Sequence, residues 1–336
     1  MSYRILTRAA LVLAFVVVVV GAYVRLEDAG LGCPDWPGCY GRMLGVPETQ
    51  EELAHAQQAF PGKPPEPNRA RKEMFHRYLA GTLGLLILAL AAGAWRLRGR
   101  TRHSAALPVA LVGLVAFQAT LGMWTVTLLL KPAVVTLHLI GGMAILSLLT
   151  WLALREGPDP VPPRGAHGLR PWAAAALFVL ACQIGLGGWV SSNYAALACV
   201  DFPTCNGAWL PPMDFHNAFH ALRELGMTAA GAPLPHEALT AIQWTHRVGA
   251  LVTAIVVGGL AAALLRRADL RKHGVLLLVL LVLQVALGAG NVVARLPLVL
   301  AVAHNAGAAL LLAALVMLNF TIFQGVRVEG RRYDEP

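Results

Sequence analysis

Apolar residues along this chain are gathered into eight long stretches, separated by polar and mostly basic segments. The stretches cover approximately residues 9–26, 75–96, 105–128, 132–154, 171–191, 243–265, 274–293 and 297–323. Each comes close to the roughly 20 apolar residues that a helix needs to cross a bilayer. The pattern therefore predicts an all-α, polytopic membrane protein with eight transmembrane helices.

Basic residues precede the first stretch and follow every second one, and they indicate how the chain is oriented. They are Arg4, Arg8, Arg96, Arg98, Arg100, Arg102, Arg155, Arg164, Arg170, Arg266, Arg267, Arg271, Lys272, Arg327, Arg331 and Arg332. Because loops rich in lysine and arginine stay in the cytoplasm, we expect both termini to be cytoplasmic. The two long loops, 27–74 and 192–242, then face outward.

Composition supports the membrane assignment. Of the 336 residues, 57% are hydrophobic and only 13% are charged, whereas a soluble protein has about 25% charged residues. The net charge of +9 would otherwise suggest a nucleic-acid partner. Here the basic residues lie in short loops, where they set the topology, and we exclude nucleic acid as a partner.

The two halves of the chain repeat each other. Segments 33–41 and 199–207 both read C-x-D-aromatic-P-x-C-x-G, at an offset of 166 residues. His138 meets His304 at the same offset. Matches of this kind at one offset indicate an internal duplication, which decides the architecture.

Each half contains four spans, an even number, so both halves enter the membrane in the same direction. The expected architecture is two four-helix bundles related by a pseudo-two-fold axis along the membrane normal. We expect an N-terminal bundle at 1–156, a cytoplasmic linker at 157–170, a C-terminal bundle at 171–326 and a cytoplasmic tail at 327–336.

Four of the five cysteines lie in the two outer loops. An oxidising outer compartment favours a disulfide between Cys33 and Cys39 and another between Cys199 and Cys205. Zinc is the alternative ligand, although neither pair has convergent histidines close by in the sequence. Cys182 lies within the fifth stretch, where we expect an inert, packed thiol.

Four histidines, His76, His138, His246 and His304, lie in the outer half of apolar stretches. We place His76 and His246 at the starts of the second and sixth helices. An imidazole in hydrocarbon is costly and has a function or a partner. Two imidazoles from facing helices suit a haem that is ligated on both faces. We interpret His76 with His138, and His246 with His304, as iron ligands of two haems; copper or zinc is the alternative.

Glycines recur along the spans, among them Gly122, Gly187 and Gly288. Small residues allow spanning helices to pack closely. They could equally make room for a flat macrocycle, and the sequence leaves both roles open.

An acidic residue distinguishes the two halves. Glu73 precedes His76 by three residues, and Gln243 holds the same place before His246. Residues three apart share a helix face, so we expect Glu73 beside the first haem. A carboxylate can move protons or stabilise positive charge, which an amide does poorly. The N-terminal half is therefore the expected site of chemistry; the alternative for Glu73 is an exposed interfacial charge.

Arg77 and Arg247 directly follow the outer histidines. A guanidinium fork there could bind the propionates of a haem. The alternative is an arginine that merely snorkels to the membrane interface, and the sequence does not separate the two.

The residues that combine these features resemble the haem A synthase family, in its shorter bacterial branch. They are Glu73-x-x-His76-Arg77, His138, Gln243-x-x-His246-Arg247, His304 and the two outer cysteine pairs. The resemblance covers nearly the whole chain. It implies an oxidoreductase that converts a methyl group of haem O into the formyl group of haem A by successive hydroxylations, for use in terminal oxidases.

Carried over by position, the resemblance implies catalytic roles for Glu73, His76 and His138 in a half that binds haem O as its substrate. It implies a haem b cofactor held by His246 and His304 in the other half, and a functional role for the first cysteine pair.

The resemblance also implies residence in a bacterial cytoplasmic membrane. The expected partners are membrane lipid, haem O, the product haem A, haem O synthase and an electron donor. A homo-oligomer is left open.

A non-catalytic alternative is a two-haem membrane cytochrome that passes electrons from a quinol to a partner. A transmembrane relay would place its haems at different depths, whereas all four histidines lie on one side. A transporter would have intramembrane charges and broken helices near the midplane, which this sequence lacks. We therefore favour the enzyme.

Overall fold

The structure, a computed structural model, describes residues 2–97, 105–157, 163 and 165–333, the last ten without their side chains. The spanning helices are α1 (Tyr3–Leu26), α3 (Pro67–Arg96), α4 (Ala106–Thr127), α5 (Pro132–Arg155), α6 (Arg170–Ser192), α8 (His236–Leu265), α9 (Arg271–Val293) and α10 (Leu298–Tyr333). Two short helices, α2 (Gln50–Ala59) and α7 (Phe215–Ala218), lie in the long loops. The described residues thus contain eight helices long and apolar enough to cross a membrane, which confirms the eight predicted spans.

Some of the basic residues that indicate the orientation of the chain lie outside the described part. These are Arg98, Arg100, Arg102 and Arg164, together with the side chains of Arg327, Arg331 and Arg332. Much of the expected linker, residues 158–162, falls outside it as well.

The first four spanning helices form a closed ring. Helix α1 contacts α3 and α5, and α4 contacts the same two helices. Helices α3 and α5 therefore occupy opposite corners and, within the described residues, do not contact each other. Helices α6, α8, α9 and α10 repeat this ring, with α8 and α10 at opposite corners.

The two rings meet through four helices. Helix α5 contacts α6, α1 contacts α10, and α5 contacts α10. When every helix is replaced by its counterpart in the other ring, the contact of α5 with α6 becomes that of α10 with α1, and the contact of α5 with α10 stays the same. This pattern is consistent with a pseudo-two-fold axis. Helix α10 is the most enclosed span because it packs against both rings.

Repeat-related residues contact each other near the C-terminal ends of α1 and α6. Arg25 Nη2 donates to the carbonyl of Ser191 at 2.8 Å. The hydroxyl of Tyr194 donates to Asp28 Oδ1 at 2.9 Å. In both pairs the partners are 166 positions apart, which is the offset of the sequence repeat. A residue that meets its own counterpart lies near the axis that relates the halves.

Two helices begin earlier than the apolar pattern predicts. Helix α3 begins at Pro67 and α8 at His236, so the prediction that His76 and His246 lie at helix starts is wrong. Proline suits the first position of a helix, since its missing N–H has no partner there anyway. In α3 the charges of the polar turns that follow have partners, as Lys72 has in an ion pair with Glu27.

Cys182 is exposed, so the expectation of a packed thiol is wrong. The buried face of α6 carries Ala176, Leu180 and Ile184, which follow each other at intervals of four residues. Cys182 lies between two of these positions and therefore on another side of the helix.

Candidate haem-ligand site

Each ring of four helices contains a pair of histidines that face each other. His76 on α3 and His138 on α5 come from opposite corners, and their rings are close enough to interact electrostatically. His246 on α8 and His304 on α10 do the same in the second ring. All four side chains are half-buried. The fold thus brings together both of the pairs that the sequence indicated.

The surroundings of these pairs bear on the alternative of copper or zinc. Among the residues that the structure describes, no group of three or more histidine, cysteine, aspartate or glutamate side chains could hold a metal ion. A zinc site normally takes at least three protein ligands. A haem iron needs only two, because the porphyrin supplies the other four.

Each outer histidine lies against a glycine of a neighbouring helix. A Cβ added to Gly21 on α1 would lie 2.9 Å from Cε1 of His76. A Cβ added to Gly187 on α6 would lie 3.2 Å from Cε1 of His246. Both distances are shorter than the optimal carbon–carbon separation of about 3.5–4.0 Å, so any side chain here would displace the ring.

His138 and His304, the inner histidines, also lie against glycines of neighbouring helices. A Cβ on Gly122 of α4 would lie 3.4 Å from Cε1 of His138, and one on Gly288 of α9 would lie 3.0 Å from Cε1 of His304. Gly81, in contrast, has nothing within 4 Å of such a Cβ. The glycines of the spans therefore differ in role, and these four make room for imidazole rings.

Sequence interpretation did not include Gly21 in this set. The signal was present, because Gly21 and Gly187 are separated by the repeat offset of 166 residues, as are Gly122 and Gly288. A glycine that recurs at the offset of a duplication marks a position where both halves need the same space.

The ring nitrogens of the histidines have different partners. Nδ1 of His76, His138 and His304 is buried without a hydrogen-bond partner. Nδ1 of His246 instead lies 3.0 Å from the side-chain nitrogen of Gln183. Nε2 of His304 lies 3.4 Å from the amide nitrogen of Gln284. The two pairs are therefore alike in placement and unlike in hydrogen bonding.

Glu73 is buried, with 5% of its surface exposed, which rules out the exposed interfacial charge. Its Oε2 accepts a hydrogen bond from the backbone N–H of Cys33 at 2.9 Å. Its Oε1 forms an ion pair with Arg77, one turn further along α3. The carboxylate thus connects the histidine helix to the first cysteine loop.

Gln243 takes this place in the second half and is equally buried. Its Oε1 has no hydrogen-bond partner. Arg247 donates instead to the carbonyl of Cys199 at 3.1 Å. The N–H of Cys33 therefore donates to a carboxylate, whereas the C=O of Cys199 accepts from an arginine.

Both arginines hold their cysteine loops. Arg77 Nη1 donates to the carbonyl of Asp35 at 3.0 Å, and Arg247 Nη1 donates to those of Asp201 and Thr204 at 2.8 and 2.6 Å. Because these donors point at loop carbonyls, the binding of haem propionates by Arg77 and Arg247 stays a prediction.

The first loop is closed by a Cys33–Cys39 disulfide with an S–S distance of 2.06 Å. Asp35 accepts hydrogen bonds from the backbone N–H groups of Tyr40 at 2.6 Å and Gly41 at 2.8 Å. Gly41 has a φ of 75°, which glycine adopts without steric cost. These contacts explain the aspartate and the glycine of the repeated motif.

The second loop has the same construction, with a Cys199–Cys205 disulfide whose S–S distance is 1.97 Å. Asp201 accepts hydrogen bonds from the hydroxyl of Thr204 and from the N–H of Gly207 at 3.0 Å. These two bonds, the first contributing most, lower the pKa of Asp201 to about 2. Both predicted cysteine pairs are thus at disulfide distance.

Fold and site together define a class: an eight-span membrane protein with two helix rings, each holding a pair of imidazoles. The chain belongs to the COX15-CtaA family, described as cytochrome oxidase assembly protein, whose model matches residues 4–316.

Curated relatives cover almost the same length. Heme A synthase from Shewanella oneidensis is 46% identical over 321 residues, which is 95% of this chain and 96% of that protein. Heme A synthase from Rhizorhabdus wittichii is 30% identical over 91% of this chain and 89% of its own. Heme A synthase from Halalkalibacterium halodurans is 28% identical over 69% of this chain and 72% of its own.

Proposed function

We propose that the protein acts as a haem A synthase, which oxidises a methyl group of haem O to the formyl group of haem A. The N-terminal half binds haem O as substrate between His76 and His138. The C-terminal half holds a haem b cofactor between His246 and His304.

The observation that most supports this proposal is the placement of the histidines at opposite corners of both rings. Full-length similarity to proteins named heme A synthase supports the same activity. A single buried histidine has ordinary explanations. Two facing pairs at repeat-related positions instead favour a ligand that reaches both imidazoles of a pair at once.

The donor atoms of the site fit a haem that would be held by the two imidazoles of a pair. Imidazole binds iron through one nitrogen and leaves the other for a hydrogen bond. In His76 and His138 the buried Nδ1 has no partner, and we assign the binding of iron to Nε2 of both residues. His304 also has an unpartnered Nδ1, and the neighbouring amide of Gln284 has to turn away for Nε2 to bind iron.

Glu73 is the residue to which we assign the handling of protons in the reacting half. It lies three residues before His76 on α3 and is the counterpart of the neutral Gln243. A buried carboxylate can accept a proton or stabilise positive charge that develops at a neighbouring carbon. Its bonds to Cys33 and Arg77 hold it on the side of the cysteine loop.

The C-terminal half has a supporting role in this proposal. Haem b bound there supplies one-electron transfer. His246 and His304 bind it, and Gln243 leaves the site without an acid. Both termini lie in the cytoplasm of a bacterial cell, so the two cysteine loops and the histidine pairs are on the outer side of the inner membrane.

The test is the pigment content of the protein purified from cells that make haem O. The unchanged chain is expected to contain haem B, haem O and haem A. Glu73→Gln keeps an acceptor for the N–H of Cys33 and removes only the charge, so it is expected to retain haem and form no haem A.

Glu66→Gln is the matched control, because Glu66 directly precedes the same helix and its side chain is more than half exposed. It is expected to form haem A at the unchanged rate. Formation of haem A by the Glu73→Gln protein would overturn the role of Glu73. Purified protein without any haem would overturn the proposed function, and haem B alone would identify an electron carrier.

A further inference from the structure

His246 alone among the four paired histidines has a hydrogen-bond partner for Nδ1 within the described part of the chain. The side-chain nitrogen of Gln183 lies 3.0 Å from this Nδ1 and 3.0 Å from the backbone oxygen of His246. Nδ1 of the other three histidines is buried without a partner. The two halves of the chain thus treat their outer histidines differently.

The difference is built into the sequence of both halves. Gln183 lies one turn before Gly187, the glycine that receives the ring of His246. Val17 lies one turn before Gly21, which receives the ring of His76, and Val17 is the counterpart of Gln183 at the repeat offset of 166. The same position therefore carries an amide beside one histidine and a methyl-bearing side chain beside the other.

A second position changes together with the first. Gln183 Oε1 occupies the space where a Cβ of Gly249 would lie. The counterpart of Gly249 in the first half is Leu79, at the offset of 170 that also relates the outer histidines. The second half thus pairs an amide with a glycine where the first half pairs Val17 with Leu79.

We infer that Gln183 is a positioning residue for His246, whose amide holds Nδ1 so that Nε2 binds the iron of the C-terminal haem. The inference rests on the proposed function. When iron is bound through Nε2, Nδ1 carries a proton and needs an acceptor. As placed, the amide nitrogen of Gln183 faces both Nδ1 and the backbone oxygen of His246. A half-turn of the amide gives up the bond to the backbone oxygen and brings Oε1, which is otherwise buried without a partner, to Nδ1–H.

An acceptor on Nδ1–H has a chemical consequence for the metal. It fixes the orientation of the imidazole and makes the ring a stronger electron donor. A stronger donor stabilises ferric over ferrous iron and so lowers the midpoint potential. His76 receives no such bond, and Gln183 therefore makes the C-terminal haem the better reductant of the two.

The inference is tested on the full chain, purified with haem B from cells that lack a source of haem O. Gln183→Val copies the first half and removes the acceptor, so the midpoint potential of the bound haem is expected to rise. Gln183→Glu offers a stronger acceptor, and the potential is expected to fall below that of the unchanged protein. Haem content and a redox titration followed by absorbance measure both effects.

Gln118→Leu is the control, because the amide of Gln118 bonds the backbone oxygen of His138 and not its ring. It is expected to leave the potential of the C-terminal haem unchanged. A merely structural role of Gln183 would shift both of its variants in the same direction or not at all, and either result would overturn the inference.

If Gln183→Val loses its haem, the Gln183→Glu variant decides whether the inference holds. Haem retained by Gln183→Glu with a lowered potential supports the positioning role, and haem lost from both variants overturns it. The failure of the proposed function looks different, since the unchanged protein itself would then be colourless.

Discussion

The four glycines that face imidazole rings allow the effect of an added methyl group on haem affinity to be predicted. Gly288 is the clearest case. In Gly288→Ala the new methyl group would lie 3.0 Å from Cε1 and 3.5 Å from Nδ1 of His304. Carbon atoms prefer a separation of about 3.5–4.0 Å, so the ring has to retreat by roughly half an ångström or more.

Overpacking of this kind costs about 1–3 kcal/mol. If the whole cost falls on the haem-bound state, the affinity for haem decreases by roughly 5- to 150-fold. In the haem-free protein the ring can turn away, and alanine in a helix is favoured over glycine by about 1 kcal/mol. The variant should therefore bind haem more weakly without being less stable when empty.

The assay is a titration of the haem-free protein with haem B, followed by the absorbance of the bis-imidazole complex. Gly290→Ala is the matched control on the same helix, where the added Cβ would meet only Leu300 Cδ1 at 3.6 Å. This variant should bind haem as the unchanged protein does. Equal affinities of the Gly288→Ala and Gly290→Ala proteins would refute the reasoning.

Two further predictions concern the cysteine loops. Arg77→Ala leaves the buried Glu73 carboxylate without its cation and should lower the free energy of unfolding by about 3–5 kcal/mol. Arg247→Ala leaves only carbonyls unpaired and should lower it by about 1–3 kcal/mol. Unfolding titrations in detergent compare the two variants, and equal losses would contradict the predicted difference. The pKa of Asp201 is lowered from 3.8 to about 2, so its contribution to loop stability is complete above pH 3.8 and is lost as the pH falls through about 2. Pepsin cleavage of this loop should accelerate across that window, and the neutral Asp201→Asn should remove the dependence.

Much of this architecture could be predicted from the sequence because it follows from composition and repetition. The eight spans are runs of apolar residues, and the repeat offset by itself relates the histidines and the cysteine loops of the two halves. The glycines facing the rings could have been found in the same way, since Gly21 and Gly187 share that offset.

Other features could not be predicted, for physical reasons. The polar first turns of α3 lie in a segment too hydrophilic to count as a span, and their charges have partners that lie far away in the sequence, as Lys72 has in Glu27. The bond between Glu73 and Cys33 joins residues 40 positions apart. Its existence depends on how the loop folds back on α3, which no local pattern encodes.

The contacts between repeat-related residues at the ends of α1 and α6 have a consequence for how the protein can be assembled. In a symmetric dimer, a side chain on the two-fold axis meets an identical copy of itself. Two copies of the first half joined in this way would bring Arg25 to Arg25 and Asp28 to Asp28. Carrying both halves on one polypeptide lets Arg25 meet a carbonyl and Asp28 meet a hydroxyl instead, so the contact between the halves can carry different residues on its two sides, which a symmetric dimer does not allow.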